Sequence, residues 1–134
     1  MCAGRRIEMF RKMEFALAIF FLAALAGCRT IQLKTVPDNL VGVWTTDVPK
    51  YSDRSLELTP ELLVITTGPG ERTFYGVLAV DEEPRGKDTF YTVHYVSDDR
   101  EVFQLSFFYS PQKLGAIQFE HQPGVVWTRE KPKN

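Results

Sequence analysis

The chain has 134 residues, with 16 Lys and Arg against 17 Asp and Glu, so its formal net charge is −1 at pH 7. Nucleic-acid binding requires a clustered basic face, and this even balance argues against it. It also argues against attachment to anionic lipid through a polybasic segment. Apolar residues make up 44% of the chain and aromatic residues 13%, which is enough for one globular domain with a single core.

An uncharged apolar run from Phe15 to Ala26 follows a net basic head at the start of the chain. The basic residues of that head are Arg5, Arg6, Arg11 and Lys12, opposed by Glu8 and Glu14. A run of about a dozen residues is typical of a signal-peptide core. At roughly 1.5 Å per residue it spans about 18 Å, well short of the ~30 Å hydrocarbon layer. The pattern therefore predicts an export signal over residues 1–27 rather than a membrane-spanning helix.

Small residues and a cysteine close that run, in the order Leu25-Ala26-Gly27-Cys28. This ending resembles the lipobox of bacterial lipoproteins. The resemblance implies cleavage between Gly27 and Cys28, a diacylglyceryl group on the Cys28 sulfur, and acylation of the new amino terminus. Because Arg29 rather than Asp follows the cysteine, it further implies sorting to the outer membrane, facing the periplasm. Met9 and Met13 remain alternative starts, since either one leaves the apolar run intact.

Cys2 and Cys28 are the two cysteines of the sequence. We expect Cys2 to leave with the signal and Cys28 to be consumed by lipidation. The remaining domain then has no disulfide, no thiolate nucleophile and no cysteine ligand for a metal. From residue 28 onward there are 12 Lys and Arg against 15 Asp and Glu, for a charge of −3.

Residues 28–39 are mostly polar and are interpreted as a lipidated tether, with Pro37 and Asp38 as turn formers. After it comes a succession of short β-rich runs separated by turn residues, with no helical periodicity between them. Asp81 to Lys87 is interpreted as one of those turns because it is acidic and contains Pro84 and Gly86. The eight predicted strands are 41–46, 55–58, 62–67, 72–80, 89–96, 101–109, 114–120 and 125–129.

Eight antiparallel strands with short connections predict an all-β, up-and-down barrel over residues 40–130, because closure removes both exposed sheet edges. Residues 131–134 form a tail. Gly42-Val43-Trp44 on the first strand resembles the Gly-x-Trp signature of lipocalins and related calycin barrels. Trp127-Thr128-Arg129 on the last strand resembles their closing arginine. The resemblance implies that Arg129 packs across Trp44 where the barrel closes, a cation–π contact of ~0.5–2 kcal/mol.

The predicted barrel contains 13 aromatic residues between positions 41 and 129. An eight-stranded barrel has room either for its own side chains or for one small ligand. So many large rings favour a filled interior. The chain is also shorter than a lipocalin and leaves no room for that family's C-terminal helix.

The long connection after the first strand contains Tyr51, Asp53 and Arg54. In a lipocalin-like barrel this loop covers the open end. We expect these three residues to form a binding surface, with Tyr91 and Tyr95 as its inner wall, because exposed aromatic and Arg side chains are enriched at binding hot spots. The alternative is a plain connector with a surface ion pair worth under ~1 kcal/mol.

No catalytic or metal-binding motif stands out, and His94 and His121 do not have metal-ligand spacing. The prediction is therefore a non-enzymatic envelope lipoprotein without cofactor, metal or nucleic-acid partner. Its leading function is a binding module for a small apolar ligand or a protein partner. The alternatives are a structural or assembly lipoprotein with a filled core, or a small barrel that inhibits a hydrolase.

Overall fold

The computed structural model describes residues 29–112 and 114–130. The predicted signal peptide, lipobox and lipidated Cys28 lie outside this range, as does the predicted tail. Within it, no helix has the length and hydropathy that a membrane span needs.

The described residues form nine β-strands and two short 3₁₀ helices, Asp38–Leu40 and Pro49–Tyr51. Most strands coincide with a predicted run to within a few residues. The strands are β1 Ile31–Leu33, β2 Gly42–Thr45, β3 Ser55–Leu58, β4 Leu62–Gly68, β5 Glu71–Arg85, β6 Asp88–Val96, β7 Val102–Ser110, β8 Ala116–Phe119 and β9 Trp127–Arg129.

Strands β2 to β9 form a closed, eight-stranded antiparallel barrel, which confirms the predicted fold. Each strand pairs with the next along the chain, and β9 returns to pair with β2, with Trp44 opposite Arg129. Strand β1 lies outside this cycle and pairs with the second half of β5.

Period-two alternation determines which side chains enter the barrel. On β6, Tyr91 and Val93 are buried, whereas the intervening Thr92 is only half-buried. The other strands contribute in the same way, so the core draws on all sides of the barrel. Its fully buried side chains are Leu40, Trp44, Leu58, Leu63, Val80, Val93, Phe107 and Ile117.

The barrel has two distinct ends. At the helix end, the 3₁₀ helix Asp38–Leu40 precedes β2, and the β3–β4, β5–β6 and β7–β8 turns lie around it. At the loop end are the β2–β3, β4–β5, β6–β7 and β8–β9 connections. The longest of these, residues 46–54, contains the second 3₁₀ helix.

Trp44 closes the helix end. Its side chain is fully buried, and its Nε1–H donates to the Leu40 carbonyl at 3.0 Å. The Arg129 guanidinium carbon lies 4.7 Å from the centre of the indole ring, as the sequence predicted, and its Nη2 donates to the Asn39 carbonyl. Gly42 makes this packing possible: its φ is +144°, and a Cβ there would come within 3.1 Å of Arg129 Nε.

A continuous series of aromatic rings runs through the barrel from Trp44 to the loop end. Neighbouring rings lie 5.6–6.3 Å apart between centroids. The series is Trp44, Tyr109, Tyr91, Phe107, Phe119, Trp127 and Tyr51. Aromatic side chains therefore occupy the middle of the barrel, in line with the expected filled interior.

The predicted acidic turn over residues 81–87 is wrong. Strand β5 continues through it to Arg85, and the reversal occurs at Gly86 and Lys87, with Gly86 at φ +65°. The acidic side chains are accommodated because they have partners: Asp81 accepts from Gln32 and contacts His94, and Glu83 bonds to Arg85. Pro84 stands one residue before the strand ends, where its missing N–H matters little.

Strand β1 was not predicted, because its three residues lie within the stretch interpreted as a tether. Ile31 pairs with Glu82 and Leu33 with Val80, along the part of β5 that extends beyond its pairing with β4. Val36 and Leu40 then enter the core. Much of the predicted tether therefore packs against the barrel.

We expect Trp44→Ala to lower the free energy of unfolding by ~3–5 kcal/mol, the usual cost of deleting a buried aromatic ring. This is a large share of the ~5–15 kcal/mol that a domain possesses. Urea unfolding monitored by circular dichroism measures it. Phe74→Ala is the control: its ring is 52% exposed, so a loss of about 1 kcal/mol is expected. Equal losses for the two variants would contradict the role given to Trp44.

Candidate functional site

The barrel wall has a gap beside β7. Strand β7 has nine residues and pairs with β6 along Val102–Tyr109, but the four-residue β8 pairs only with Phe107–Ser110. Beyond Phe119 the chain turns away, with the Gln122 N–H donating to the Phe119 carbonyl. One edge of β7 is therefore left beside residues 120–122 rather than beside a strand. We call this opening the wall gap.

A cleft of about 460 Å³ lies at the wall gap, on the loop-end side of the barrel. This volume is within the ~300–1,000 Å³ range of ligand pockets. Its apolar lining comes from Leu105 and from three consecutive rings of the aromatic series, Phe119, Trp127 and Tyr51. Polar residues complete it: Arg54, Gln104, Ser106, Glu120, His121 and Gln122.

Two buried polar atoms of the cleft-lining residues have no hydrogen-bond partner among the described residues. They are Trp127 Nε1, a donor on a side chain only 5% exposed, and Gln122 Oε1, an acceptor. Leaving such a group unpaired costs ~1–3 kcal/mol, so buried polar groups are nearly always bonded. Both atoms have almost no accessible surface, so a ligand in the cleft reaches them only after the side chains that cover them move.

Tyr51 and Arg54 lie in the cleft, as the prediction of a loop-end surface requires. The Tyr51 ring stands between two cations, with Lys50 Nζ and Arg54 Cζ each 5.5 Å from its centre. Asp53 does not line the cleft and forms a loose pair with Arg54 at 3.9 Å, about half exposed on both sides. This pair contributes under ~1 kcal/mol.

The structure separates the two tyrosines predicted as the inner wall. Tyr91 is buried, and its hydroxyl accepts from Asn39 Nδ2 at 3.0 Å, at the helix end and away from the cleft. Tyr95 is near the loop end, stacked on Phe103 and 4.9 Å from the Tyr75 ring centre, and it does not line the cleft either. Neither tyrosine meets Tyr51 or Arg54 across the cleft.

Phe119, Gln122 and Trp127 are not among the site residues that the sequence predicts. Trp127 lies beside the closing Arg129, and Gln122 lies between the last two predicted strands. The one available signal was the unequal length of two neighbouring runs, 101–109 and 114–120. When two neighbouring strands differ in length, part of the longer strand stays unpaired. The sequence does not show at which residue β8 ends.

The two histidines have ordinary surroundings. His94 Nε2 lies 2.8 Å from Asp81 Oδ2, so it is a hydrogen-bonded histidine on the barrel surface. The His121 side chain is 94% exposed and lies 3.9 Å from Glu120. Across residues 29–112 and 114–130, no group of three His, Cys, Asp or Glu side chains is arranged to hold a metal ion.

A second groove, of about 420 Å³, lies on the outer face near Lys87, Phe108 and Gln118. None of its lining residues has an unpartnered buried polar atom in the part of the chain that the structure describes. The amide of Gln118 donates to the Pro123 carbonyl. The first cleft is therefore the better candidate.

The chain matches no protein-family model, no curated protein and no solved structure at a significant level.

We expect Tyr91 and Tyr95 to make the protein sensitive to alkali. Burial raises the pKa of both hydroxyls above the usual value of 10. A raised pKa in the folded state stabilises the fold at pH values below 10, and this contribution is lost as the pH rises beyond that. The free energy of unfolding should therefore fall above about pH 10, and should fall less in Tyr91→Phe.

A second variant isolates the cause. The Asn39 amide stabilises the Tyr91 phenolate and so lowers the pKa that burial raises. Asn39→Ala should move the absorbance change at alkaline pH, which reports phenolate formation, to higher pH. A shift to lower pH would mean that this hydrogen bond is absent in solution.

Proposed function

We propose that this protein is a lipid-anchored bacterial envelope protein whose small, lipocalin-like barrel binds a ligand or protein partner at the wall-gap cleft. One observation carries the proposal: Trp127 Nε1 and Gln122 Oε1 are buried, unpartnered, and belong to residues of one aromatic cleft. The cleft also offers apolar ring surface and polar rim residues to a bound molecule.

The series of rings inside the barrel supports binding in the wall rather than in the lumen. The series of rings from Trp44 to Tyr51 occupies the middle of the barrel, where a lipocalin-like protein would hold its ligand. The cleft reaches the same series from the side, at Phe119 and Trp127. Ring faces there offer apolar contact, and Arg54 offers a positive charge at the rim.

The proposed anchor is the Cys28 lipid, on the resemblance of Leu25 to Cys28 to a lipobox. Only Arg29 and Thr30 separate Cys28 from β1. Three residues of extended chain reach about 10 Å. A lipidated Cys28 would therefore keep β1 close to the bilayer surface, in the outer membrane and facing the periplasm.

A structural or assembly role is the second candidate. The observation that favours it is the same series of buried rings, since a solid barrel needs no ligand to be stable. The unpartnered atoms of the cleft favour the binding role, because a purely structural barrel gains nothing from them.

We expect Cys28→Ser to abolish membrane attachment, because the serine oxygen cannot form the thioether to the diacylglyceryl group. Phase separation of cell extracts in a clouding detergent measures it: the full-length chain should enter the detergent phase, and the variant should remain aqueous or unprocessed. Cys2→Ser is the matched control and should behave like the parent. Unchanged partition of Cys28→Ser would rule out this anchor.

We expect Tyr51→Ala/Arg54→Ala to lose at least nine-tenths of any molecule that co-purifies with the full-length chain from bacterial cells, as measured by native mass spectrometry. Stability should change by about 1 kcal/mol or less, since Arg54 is exposed and Tyr51 is only partly buried. The matched control is Phe74→Ala/Arg72→Ala, a cation–ring pair of similar geometry on the outer face, with Arg72 Cζ 5.3 Å from the ring centre.

If the Tyr51→Ala/Arg54→Ala variant retained all of the co-purified molecule, the binding site would lie elsewhere. A parent chain that carries no added mass, and that also fails to bind in the peptide selection described below, would favour the structural role.

A further inference from the structure

We infer that the wall-gap cleft takes an extended peptide, which adds as a strand to the open edge of β7. This inference rests on the proposed function of the cleft as a binding site and names the class of its occupant.

The alternation of hydrogen bonding along β7 shows which of its backbone N–H and C=O groups face the wall gap. The Glu120 N–H donates to the Ser106 carbonyl at 3.3 Å, in register with the pairing of Phe107 and Phe119. In an antiparallel strand, alternate residues direct both N–H and C=O to the same neighbour. Ser106 therefore faces β8, and so do Gln104 and Val102. Phe103 and Leu105 face β6.

The groups of Gln104 and Val102 have no strand to pair with on that side. β8 ends at Phe119, opposite Phe107, and the described chain then turns at residues 119–122. Each of these two β7 residues thus presents one donor and one acceptor to the wall gap. Gln104, Leu105 and Ser106 line the cleft itself.

This edge lacks two of the features that keep sheet edges from pairing, namely charged residues and proline. Natural proteins protect open edges with Lys, Pro, bulges or covering segments. Residues 102–106 are Val-Phe-Gln-Leu-Ser, without charge or proline. Val102 is 60% exposed and Phe103 40% exposed, on opposite faces of the strand. An edge with exposed apolar side chains on both faces is suited to strand addition.

The unpaired side-chain atoms of the cleft-lining residues are also consistent with an extended peptide as the ligand. Beside the donors and acceptors of the β7 edge, the cleft has the Trp127 Nε1 donor and the Gln122 Oε1 acceptor. A peptide backbone offers a C=O and an N–H at every residue, so an extended segment bonds to the groups of the β7 edge and reaches the two side-chain atoms once their covering side chains move. A small apolar molecule leaves them unpaired, at ~1–3 kcal/mol for each buried group.

The sheet also indicates the side chains of the peptide. On the outer face, Leu62, Gly76, Val96 and Val102 form one row across four strands. A residue of the added strand opposite Val102 continues this apolar row. The peptide residues opposite Phe103 and Leu105 point inward. We therefore expect apolar residues at successive positions of the peptide, with at least one aromatic ring on the inward side.

The test uses a phage-displayed random heptapeptide library, selected against the full-length chain in detergent. The strongest peptide is then synthesised and its affinity measured for two variants of one position. Gln104→Pro removes the N–H that faces the wall gap but leaves the β6 ladder intact, because Gln104 does not bond to β6. Gln104→Ala keeps that N–H. We expect at least tenfold weaker binding for Gln104→Pro and less than threefold for Gln104→Ala.

Amide hydrogen exchange gives a readout that does not depend on a substitution. In the free protein the Gln104 amide should exchange much faster than those of Phe103 and Leu105, which bond to β6. Binding of the selected peptide should slow Gln104 at least tenfold. The Phe103 amide serves as the internal control.

Equal binding by both Gln104 variants, or an unchanged Gln104 amide, would overturn strand addition. If Tyr51→Ala/Arg54→Ala still abolished binding, the cleft would remain the binding site with a different occupant. A library without binders would also overturn the inference, while a co-purified small molecule at Tyr51 and Arg54 would leave the proposed function standing.

A different outcome is a dimer of the parent chain that Gln104→Pro converts to a monomer. This result would assign the open edge of β7 to a second copy of this chain instead.

Discussion

The packing of Arg129 on Trp44 is the contact on which the rest of this structure depends. It joins the last strand to the first, and without that join β2 and β9 would be two open edges of a sheet. Three features of the local chain serve it. Gly42 leaves room for the arginine, Leu40 accepts the indole hydrogen bond, and the 3₁₀ helix brings the Asn39 carbonyl to the guanidinium. Most of these groups lie within six residues of one another, so local sequence builds the point of closure.

Closure at this end has a consequence for the other. Once Trp44 fills the helix end, the other rings of the series follow it in edge-on or tilted contacts as far as Tyr51 at the loop end. The proposed binding surface lies in the wall, which is incomplete because β8 is five residues shorter than β7. The mismatch leaves backbone groups of β7 without a partner strand, beside the rings that line the cleft.

The sequence predicts those features of the fold that depend on residues close together in the chain. Alternation and turn residues are local, so the strand runs, the all-β class and the barrel could be predicted. The meeting of Trp44 and Arg129 could also be predicted, because it rests on a short motif at each end of the domain. β1 and the extension of β5 could not, since each is stable only because the other pairs with it. The position of Tyr91 could not be predicted fully for a related reason. Alternation correctly places its side chain inside the barrel, but it does not indicate at which end of the barrel the side chain lies. The cleft depends on where β8 stops, and this is decided by tertiary packing around residues 119–124.

The most direct test of this account is hydrogen exchange of the Trp44 indole N–H, one of only two indole protons in the protein. If the packing around Trp44 holds the barrel closed, this proton exchanges only when the whole domain unfolds, and its exchange free energy equals the global free energy of unfolding. Nuclear magnetic resonance of the full-length chain, with urea unfolding in the same buffer, measures both. Agreement of the two values to within about 1 kcal/mol is the predicted result. Exchange at a free energy several kcal/mol lower would show that β2 and β9 open locally, and that closure is not what the rest of the barrel depends on.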